Sequence, residues 1–398
     1  MLKFSLKHMR IRLGKHILTA LSLVITLIVS LLAYNISNQV RDGIVGSYKY
    51  YDTIIGPSGS QTQLVLNTLF YTDKPLGLID YDEYENVAGD SRVAIAIPFA
   101  EGDNYANARI IGTDAKYLDE FTLSQGSTFE VEYQAVIGYN VAKSKQLKSG
   151  DTFYSVHGLT SDINSHTHEG ADEIYTVTGI LAKTNTAADN VIFTDIKSVW
   201  SSHGFGHADD DDEEDEHGHD GGSVTAILIK CTSLSAQMSL ADEYNKTAGM
   251  QAVNPSAVMR ELMNNVDTTK NIVYILCAII LIMNLFIISV ITMLNMYDVK
   301  KDIELLRLIG VSKGRIEAVV YIQTLIILCV SLLAGLGLSR LFMTMIGTFT
   351  QSMGIVLDTG KFYGLEFAIA GVIAATAFLP VFIAVKRVFA GRIIDEKH

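Results

Sequence analysis

The residues most able to do chemistry are histidines that bracket a run of acids. Residues 202–222 read SHGFGHADDDDEEDEHGHDGG, with eight consecutive acids from Asp209 to Glu216. The histidines beside this run are His203, His207, His217 and His219, and an earlier group comprises His157, His166 and His168. Neutral imidazole is a preferred ligand of zinc-like cations, and carboxylates can complete the shell. The pattern predicts an open, exchangeable site for Zn²⁺ or a similar divalent cation.

The same run has two plainer interpretations. A block of like charges is commonly a solvated loop of low complexity, and an acidic segment can also attract a basic partner. Seven of the ten histidines lie between residues 157 and 219, which favours metal binding. Calcium is the weaker candidate, because the acids lack the spaced D-x-D-x-D-G pattern of a preformed loop.

Motifs for catalysis are not apparent in the sequence. The phosphate-binding pattern G-x-x-x-x-G-K-[ST] does not occur, and neither does a serine nucleophile elbow or an H-E-x-x-H pair. We therefore predict no catalytic residue and expect ATPase activity, if the chain uses it, to belong to a separate subunit.

The elements that must position these residues include membrane helices. The chain has 398 residues, is 49% hydrophobic and has a mean hydropathy of +0.27. Stretches long enough to cross a bilayer, which takes about 20 apolar residues, are predicted at 17–37, 271–295, 318–346 and 364–386. Asn284, Ser289, Gln323 and Thr324 are polar residues inside them that could bridge helices. So few polar residues favour force transmission over a polar channel.

Charge predicts how these helices are oriented. Lys and Arg cluster in the entry helix at 1–16, in the connection at 296–317 and in the tail at 387–398. Positive residues beside spans stay in the cytoplasm, so both termini are predicted to be cytoplasmic. Residues 38–270, with 35 of the 43 acids, are then outside, as is a short loop at 347–363.

Strand-like and helix-like stretches alternate within residues 38–270. RVAIAIPFA and NARIIGTD resemble paired strands around the turn EGDNYA, and SVTAILIKCT is a further strand after the acidic loop at 202–222. The predicted fold class is a membrane protein with four transmembrane helices and a large α+β extracytoplasmic domain between helices 1 and 2.

The layout and one motif resemble a known family. One span, a large outer domain and three more spans, with YDVKKDIELLRLIGVSKGRI at Tyr297–Ile316, resemble MacB- and FtsX-like ABC permeases of the mechanotransmission type, the type VII superfamily. IIGPSGSQTQLVLNTLFYTDKPLGLI resembles a subgroup with histidine-rich extracytoplasmic insertions. The resemblance implies a cytoplasmic coupling helix at 296–317 that contacts the ATPase through Asp302, Glu304, Leu305, Leu306, Arg307 and Gly310.

The residues of this segment support such a contact independently. Ile303, Leu306 and Val311 give an apolar face flanked by charges, and Gly310 is expected to end the helix in a left-handed conformation. The alternative is a basic loop that lies on anionic lipid.

The resemblance also implies a function and partners. The chain is expected to be the permease subunit of a transporter or mechanotransmitter in the bacterial cytoplasmic (inner) membrane, working as a homodimer with two copies of an ABC ATPase. The cargo would be a divalent metal such as zinc, haem, a lipid or a peptide, and an extracytoplasmic lipoprotein, fusion protein or hydrolase could assist. The alternative is a non-transporting regulator that activates an extracellular hydrolase or signals metal status to a sensor. A nucleic-acid partner is not expected.

Overall fold

The computed structural model describes residues 2–11, 13–48, 50–159, 174–202, 222–308, 310–350 and 356–390. Its helices are α1 (Leu2–Ile11), α2 (Leu13–Tyr48), α3 (Gln61–Phe70), α4 (Tyr81–Ala88), α5 (Tyr139–Lys145), α6 (Ile196–Ser202), α7 (Leu234–Tyr244), α8 (Pro255–Leu308), α9 (Lys313–Thr350) and α10 (Gly364–Ala390). Its strands are β1 (Thr53–Pro57), β2 (Ile79–Asp80), β3 (Val93–Tyr105), β4 (Ala108–Thr113), β5 (Leu123–Gly126), β6 (Gln134–Ile137), β7 (Thr152–Tyr154), β8 (Val156–His157), β9 (Ile174–Leu181), β10 (Ile192–Asp195), β11 (Ser223–Val224), β12 (Ala226–Cys231) and β13 (Met250–Val253).

The chain divides into two compact units. The membrane unit comprises Met1–Asn38, Asn265–Ile346 and Asp358–His398, and the sheet domain comprises Gln39–Asn264 and Gly347–Leu357. The division falls inside both α2 and α8, so each of these helices contributes residues to both units.

The membrane unit contains the predicted spans. Within the described residues, four helices are long and apolar enough to cross a membrane: Leu13–Ser47, Lys270–Leu294, Lys313–Thr350 and Gly364–Arg387. This result confirms the predicted fold class, since the sheet domain lies between the first and the second of them in the chain. The first helix continues well beyond residue 37, because α2 extends into the sheet domain.

The sheet domain is built on a mixed β-sheet. In the described part of the chain, its main path runs β13-β1-β12-β3-β4-β10-β6-β9-β5, with β7 on β9 and β8 on β3. The pairs β4–β10 and β6–β9 are parallel. A smaller sheet pairs β2 with β11.

Both faces of the main sheet are covered. Ile227 and Ile229 of β12 belong to one apolar core, cluster 1, whereas Ala226 and Leu228 belong to a second, cluster 2. Strands buried on both faces read as continuous apolar runs, which is why AILIKC predicts a strand without polar alternation.

Two boundaries differ from the predictions. The expected turn EGDNYA is largely strand, because β3 continues to Tyr105 with a bulge between Glu101 and Asp103. Residues 296–308 continue α8 instead of forming a separate helix, and a turn at Gly310 then leads into α9.

Candidate functional site

The predicted ATPase-contact segment lies at the end of α8. Its backbone is helical up to Leu308, but the side chains of Asp302, Glu304, Leu305, Leu306 and Arg307 lie outside the described residues. Gly310 is exposed and has a φ of +85°, the left-handed conformation that the sequence predicts. Only glycine adopts this conformation without strain, so Gly310 fixes where the helix ends.

The opposite end of α8 is built into the sheet domain. The Asn254 side chain accepts a hydrogen bond from the Ala257 backbone N–H at 3.1 Å, and Pro255 is the first helical residue. This arrangement is favourable, since proline has no N–H to leave unsatisfied there. Val258 and Met259 are buried in cluster 2. The first turns of α8 are therefore part of the domain core.

The last turns of α2 contact the sheet domain through two glycines. A Cβ at Gly43 would lie 3.3 Å from the Asn185 carbonyl oxygen, and one at Gly46 would lie 3.0 Å from Thr186 Cγ2. The buried Asp189 carboxylate holds this loop by accepting hydrogen bonds from the backbone N–H groups of Thr184 and Asn185, both at 2.9 Å. Burial raises the pKa of Asp189, while these bonds act in the opposite direction. The loop against α2 is thus firmly anchored.

The two histidine-rich segments begin beside one buried carboxylate, that of Asp103. His157 Nδ1 lies 3.4 Å from Asp103 Oδ1, and the Ser202 hydroxyl donates to Asp103 Oδ2 at 2.9 Å. The Asp103 side chain is 0% exposed and the His157 side chain is 53% exposed. His157 therefore connects a buried acid with the surface.

The other predicted metal ligands cannot be placed. His166, His168, His203, His207, His217 and His219 lie outside the described residues. Among the residues that the structure describes, no group of three or more potential ligands could hold a metal ion. His157 is the predicted ligand with a described position.

A second buried carboxylate, Glu101, lies across the bulge from Asp103. Its Oε2 atom accepts from Asn67 Nδ2 at 3.0 Å and pairs with Arg109 Nη1 at 3.1 Å. Burial raises the pKa of Glu101 to about 7, although Arg109 and Asn67 act to lower it. Glu101 thereby joins α3 to strands β3 and β4.

The polar residues predicted inside the spans fall into two groups. Asn284 of α8 bonds to Ser22 and Thr26 of α2, and Gln323 Nε2 of α9 donates to the Ser5 carbonyl oxygen of α1 at 3.4 Å. The Ser289 and Thr324 hydroxyls instead donate to carbonyl oxygens of their own helices. Only the first group therefore bridges helices through these bonds.

Sequence reasoning missed an ion pair in the membrane unit. Arg340 of α9 pairs with Glu366 of α10, and their side chains are 16% and 1% exposed. The Arg340 guanidinium also lies 4.1 Å from the centre of the Phe362 ring. The sequence did contain a signal for this pair, namely an arginine inside one apolar stretch and an acid at the start of another. Charges buried in membrane helices are usually paired.

Comparison with known proteins finds a family model that matches part of the chain. Residues 272–389 match the FtsX-like permease C-terminal family model. No curated protein shows significant similarity to the sequence. Similar solved structures include the periplasmic region of MacB from Actinobacillus actinomycetemcomitans, with 12% identity, 56% of this chain and 98% of that chain covered, and a TM-score of 0.35. The extracellular domain of the ABC-type transporter YknZ from Gram-positive bacteria has 13% identity, coverage of 51% and 100%, and a TM-score of 0.31.

The family match includes the last three of the four apolar helices and the connection between α8 and α9. In the described residues, the match and the four helices long and apolar enough to cross a membrane together support a multi-pass membrane protein. Residues 272–389 are therefore similar to the C-terminal part of FtsX-like permeases.

Proposed function

We propose that this permease transmits motion, driven by ATP hydrolysis in a partner subunit, to a sheet domain outside the membrane. The observation that carries the proposal is the continuity of α8, which has 54 residues. One end contains the predicted ATPase contact, and the other end is buried in cluster 2 of the sheet domain. A hydrogen-bonded helix resists bending, so movement of one end displaces the other.

The proposed assembly is a homodimer of the permease with two ATPase subunits. The cytoplasmic side is assigned to both termini and to the α8–α9 connection, because these segments carry the clusters of Lys and Arg. The sheet domain then lies outside, where it could engage a lipoprotein, a fusion protein or a hydrolase.

The ATPase contact is tested by reversing its chemistry. In the double variant, Glu304→Arg reverses a charge in the predicted contact. Leu306→Asp places a charge on its apolar face, where burial of an unpaired charge is unfavourable. We expect the protein to insert normally and to lose co-purification of the ATPase.

A matched control makes similar changes on the sheet domain. Leu234 and Asp242 of α7 are exposed, so Leu234→Asp with Asp242→Arg should leave ATPase binding unchanged. If the Glu304/Leu306 variant keeps its ATPase and full ATP turnover, the proposed contact is wrong.

A second proposal concerns divalent metal. We propose that the histidine-rich segments bind Zn²⁺ reversibly and that this binding regulates the permease or selects its cargo. The supporting observation is that His157 and Ser202, where the two segments begin, both contact Asp103. The described residues at the starts of the two segments therefore lie close together, and the eight acids of the second segment would raise the local cation concentration.

Zinc binding is tested by calorimetry on the full-length protein. Changing His203, His207, His217 and His219 to Ala should weaken binding at least about tenfold, because imidazole supplies the preferred ligands. Binding should also weaken as pH falls through about 6.5, since histidine must be neutral to coordinate a metal. The melting temperature without metal should stay unchanged. Equal zinc affinity in the wild type and the variant would contradict the proposal and support the interpretation of the acidic run as a solvated loop.

The transporter and regulator alternatives are separated by a second measurement. Zinc-dependent ATP turnover with zinc accumulation in sealed vesicles supports metal export. Zinc-dependent turnover without accumulation supports a regulator. Turnover that is indifferent to zinc leaves haem, a lipid or a peptide as the cargo class.

A further inference from the structure

The two helices shared by the membrane unit and the sheet domain are tied together by hydrogen bonds inside the membrane unit. Asn284 Nδ2 of α8 donates to Thr26 Oγ1 at 2.6 Å and to the Ser22 carbonyl oxygen at 3.2 Å, both in α2. The Ser22 hydroxyl donates to Asn284 Oδ1 at 2.5 Å. We call Ser22, Thr26 and Asn284 the polar clasp.

The members of the polar clasp act as both donors and acceptors toward one another. The Asn284 amide both donates to and accepts from α2. The Thr26 hydroxyl accepts from Asn284 and donates to the Ser22 carbonyl oxygen at 2.9 Å. Asn284 and Thr26 are only 6% and 2% exposed. Sliding or rotating one helix against the other would break these bonds where water cannot replace them.

Ordinary helix packing does not account for this arrangement. Hydroxyl side chains in membrane helices can satisfy themselves on their own helix, and Ser289 does so with the Leu285 carbonyl oxygen at 2.7 Å. The Asn284 amide reaches across to α2 instead. A single buried asparagine is a known means of fixing the register of two helices.

The contacts of α2 with α9 are of another kind. Gly335 of α9 packs closely on Leu27, where an added Cβ would lie 2.6 Å from Leu27 Cδ2. The Ser331 hydroxyl donates to the Ala20 carbonyl oxygen at 3.4 Å, a long distance for a hydroxyl donor. Around them lie apolar residues such as Leu23, Leu31 and Leu328. Apolar surfaces can slide without losing directional bonds, so α2 is fixed in register to α8 more firmly than to α9.

We propose that Asn284 is a positioning residue for energy coupling. By holding α2 in register with α8, the polar clasp makes the two helices move as one lever, so both attachments of the sheet domain are displaced together. This inference rests on the proposed transmission function.

The test uses the full-length permease with its ATPase in lipid nanodiscs. An environment-sensitive fluorophore on Ser235→Cys, an exposed position on α7, reports ATP-dependent change in the sheet domain. Cys277→Ser and Cys329→Ser remove other thiols, and burial raises the pKa of the Cys231 thiol to about 11, which keeps it unreactive.

Asn284→Leu keeps the branching at Cγ and removes the polar clasp. We expect ATPase binding and ATP turnover to stay within about twofold of wild type, while the ATP-dependent signal falls about fivefold or more. Thr26→Val should give the same pattern more mildly. Ser289→Ala, the matched control on the same helix, should leave the signal unchanged.

A rescue variant separates positioning from general stability. Ser22→Asn with Asn284→Ser exchanges the two side chains across the helix pair, and it should restore most of the signal.

Three results would overturn the proposal. They are a full ATP-dependent signal in Asn284→Leu, an equal loss of signal in Ser289→Ala, or a parallel loss of ATP turnover and signal that would indicate a purely structural role. Absence of an ATP-dependent signal in the wild type contradicts the transmission function itself, and the positioning role then falls with it.

Discussion

Glu101 shows how a buried side chain makes the sheet domain sensitive to pH. Its side chain is 1% exposed, and its Oε2 atom is bound by Asn67 of α3 and Arg109 of β4. Tyr71, whose pKa burial raises far above its usual range, also interacts electrostatically with this carboxylate. Desolvation outweighs the attraction of Arg109, so the pKa of Glu101 rises to about 7.

This raised pKa has a definite consequence for stability. An acid whose pKa is higher in the folded state stabilises the fold most below its unfolded value of 4.5, and that contribution is lost as pH rises through about 7. The loss should amount to roughly 3 kcal/mol in the free energy of unfolding. Glu101→Gln cannot titrate and should lack this part of the pH dependence.

Denaturant unfolding of the full-length protein between pH 4.5 and pH 8 measures the difference. Asp242→Asn is the matched control, because Asp242 is exposed and its pair with Lys246 is solvated. Wild-type and Glu101→Gln stabilities that run parallel across this range would contradict the account.

The sequence identifies which polar residues inside the spans need a hydrogen-bond partner more readily than it identifies that partner. Asn284 and Gln323 could be identified as helix-bridging candidates, because a polar side chain in an apolar run needs a hydrogen-bond partner. Which helix supplies that partner depends on packing and register, which an isolated span does not encode. Glu101 and Asp103 appeared to be turn residues, because burial of an acid depends on partners such as Arg109, on the neighbouring strand, and Ser202, which is distant in sequence.

At the scale of elements, β3 and α8 explain the two misplaced boundaries. Because of the bulge in β3, Glu101 pairs with Ile111 of cluster 2, whereas Asp103 pairs with Ile110 of cluster 1. The two acids, which are two residues apart, therefore lie on opposite faces of the sheet. Bulges shift the alternation by one residue, which a pattern of period two cannot anticipate. In α8, the change from apolar to charged residues near 296 marks a change of environment while the helix continues.

The connection between α8 and α9 carries the orientation prediction. It lies between Leu308 and Lys313, within the basic segment at 296–317. A thiol reagent that cannot cross the membrane, added outside intact cells, should label Ser223→Cys in the sheet domain and spare Ser312→Cys in this connection. Ser312→Cys should become labelled once the cells are permeabilised, which controls for reactivity. Labelling of Ser312→Cys alone in intact cells would contradict the predicted orientation and place this connection outside.

At the scale of the whole molecule, the similarity to FtsX-like permeases and the two shared helices point to one route for motion. Residues 272–389 match the FtsX-like permease C-terminal model, and α2 and α8 are the helices shared by the two units of the chain. The apolar runs made the four spans predictable, because only helices or closed barrels satisfy their backbone groups in lipid. The alternating pattern between them made an α+β domain predictable, whereas its mixed strand order depends on pairings between distant segments.

The central claim is that ATP turnover moves the sheet domain through α8. Asp267 lies within α8, three residues beyond the part assigned to the sheet domain. Asp267→Pro should kink the helix there by removing a backbone hydrogen bond and adding a steric clash, whereas Asp267→Ala should preserve it. The decisive measurement is the ATP-dependent fluorescence change of the Ser235→Cys probe in the reconstituted permease–ATPase complex. The account predicts a full change in wild type and Asp267→Ala, and its loss in Asp267→Pro with ATP turnover retained. A full change in Asp267→Pro, or none in wild type, would contradict it.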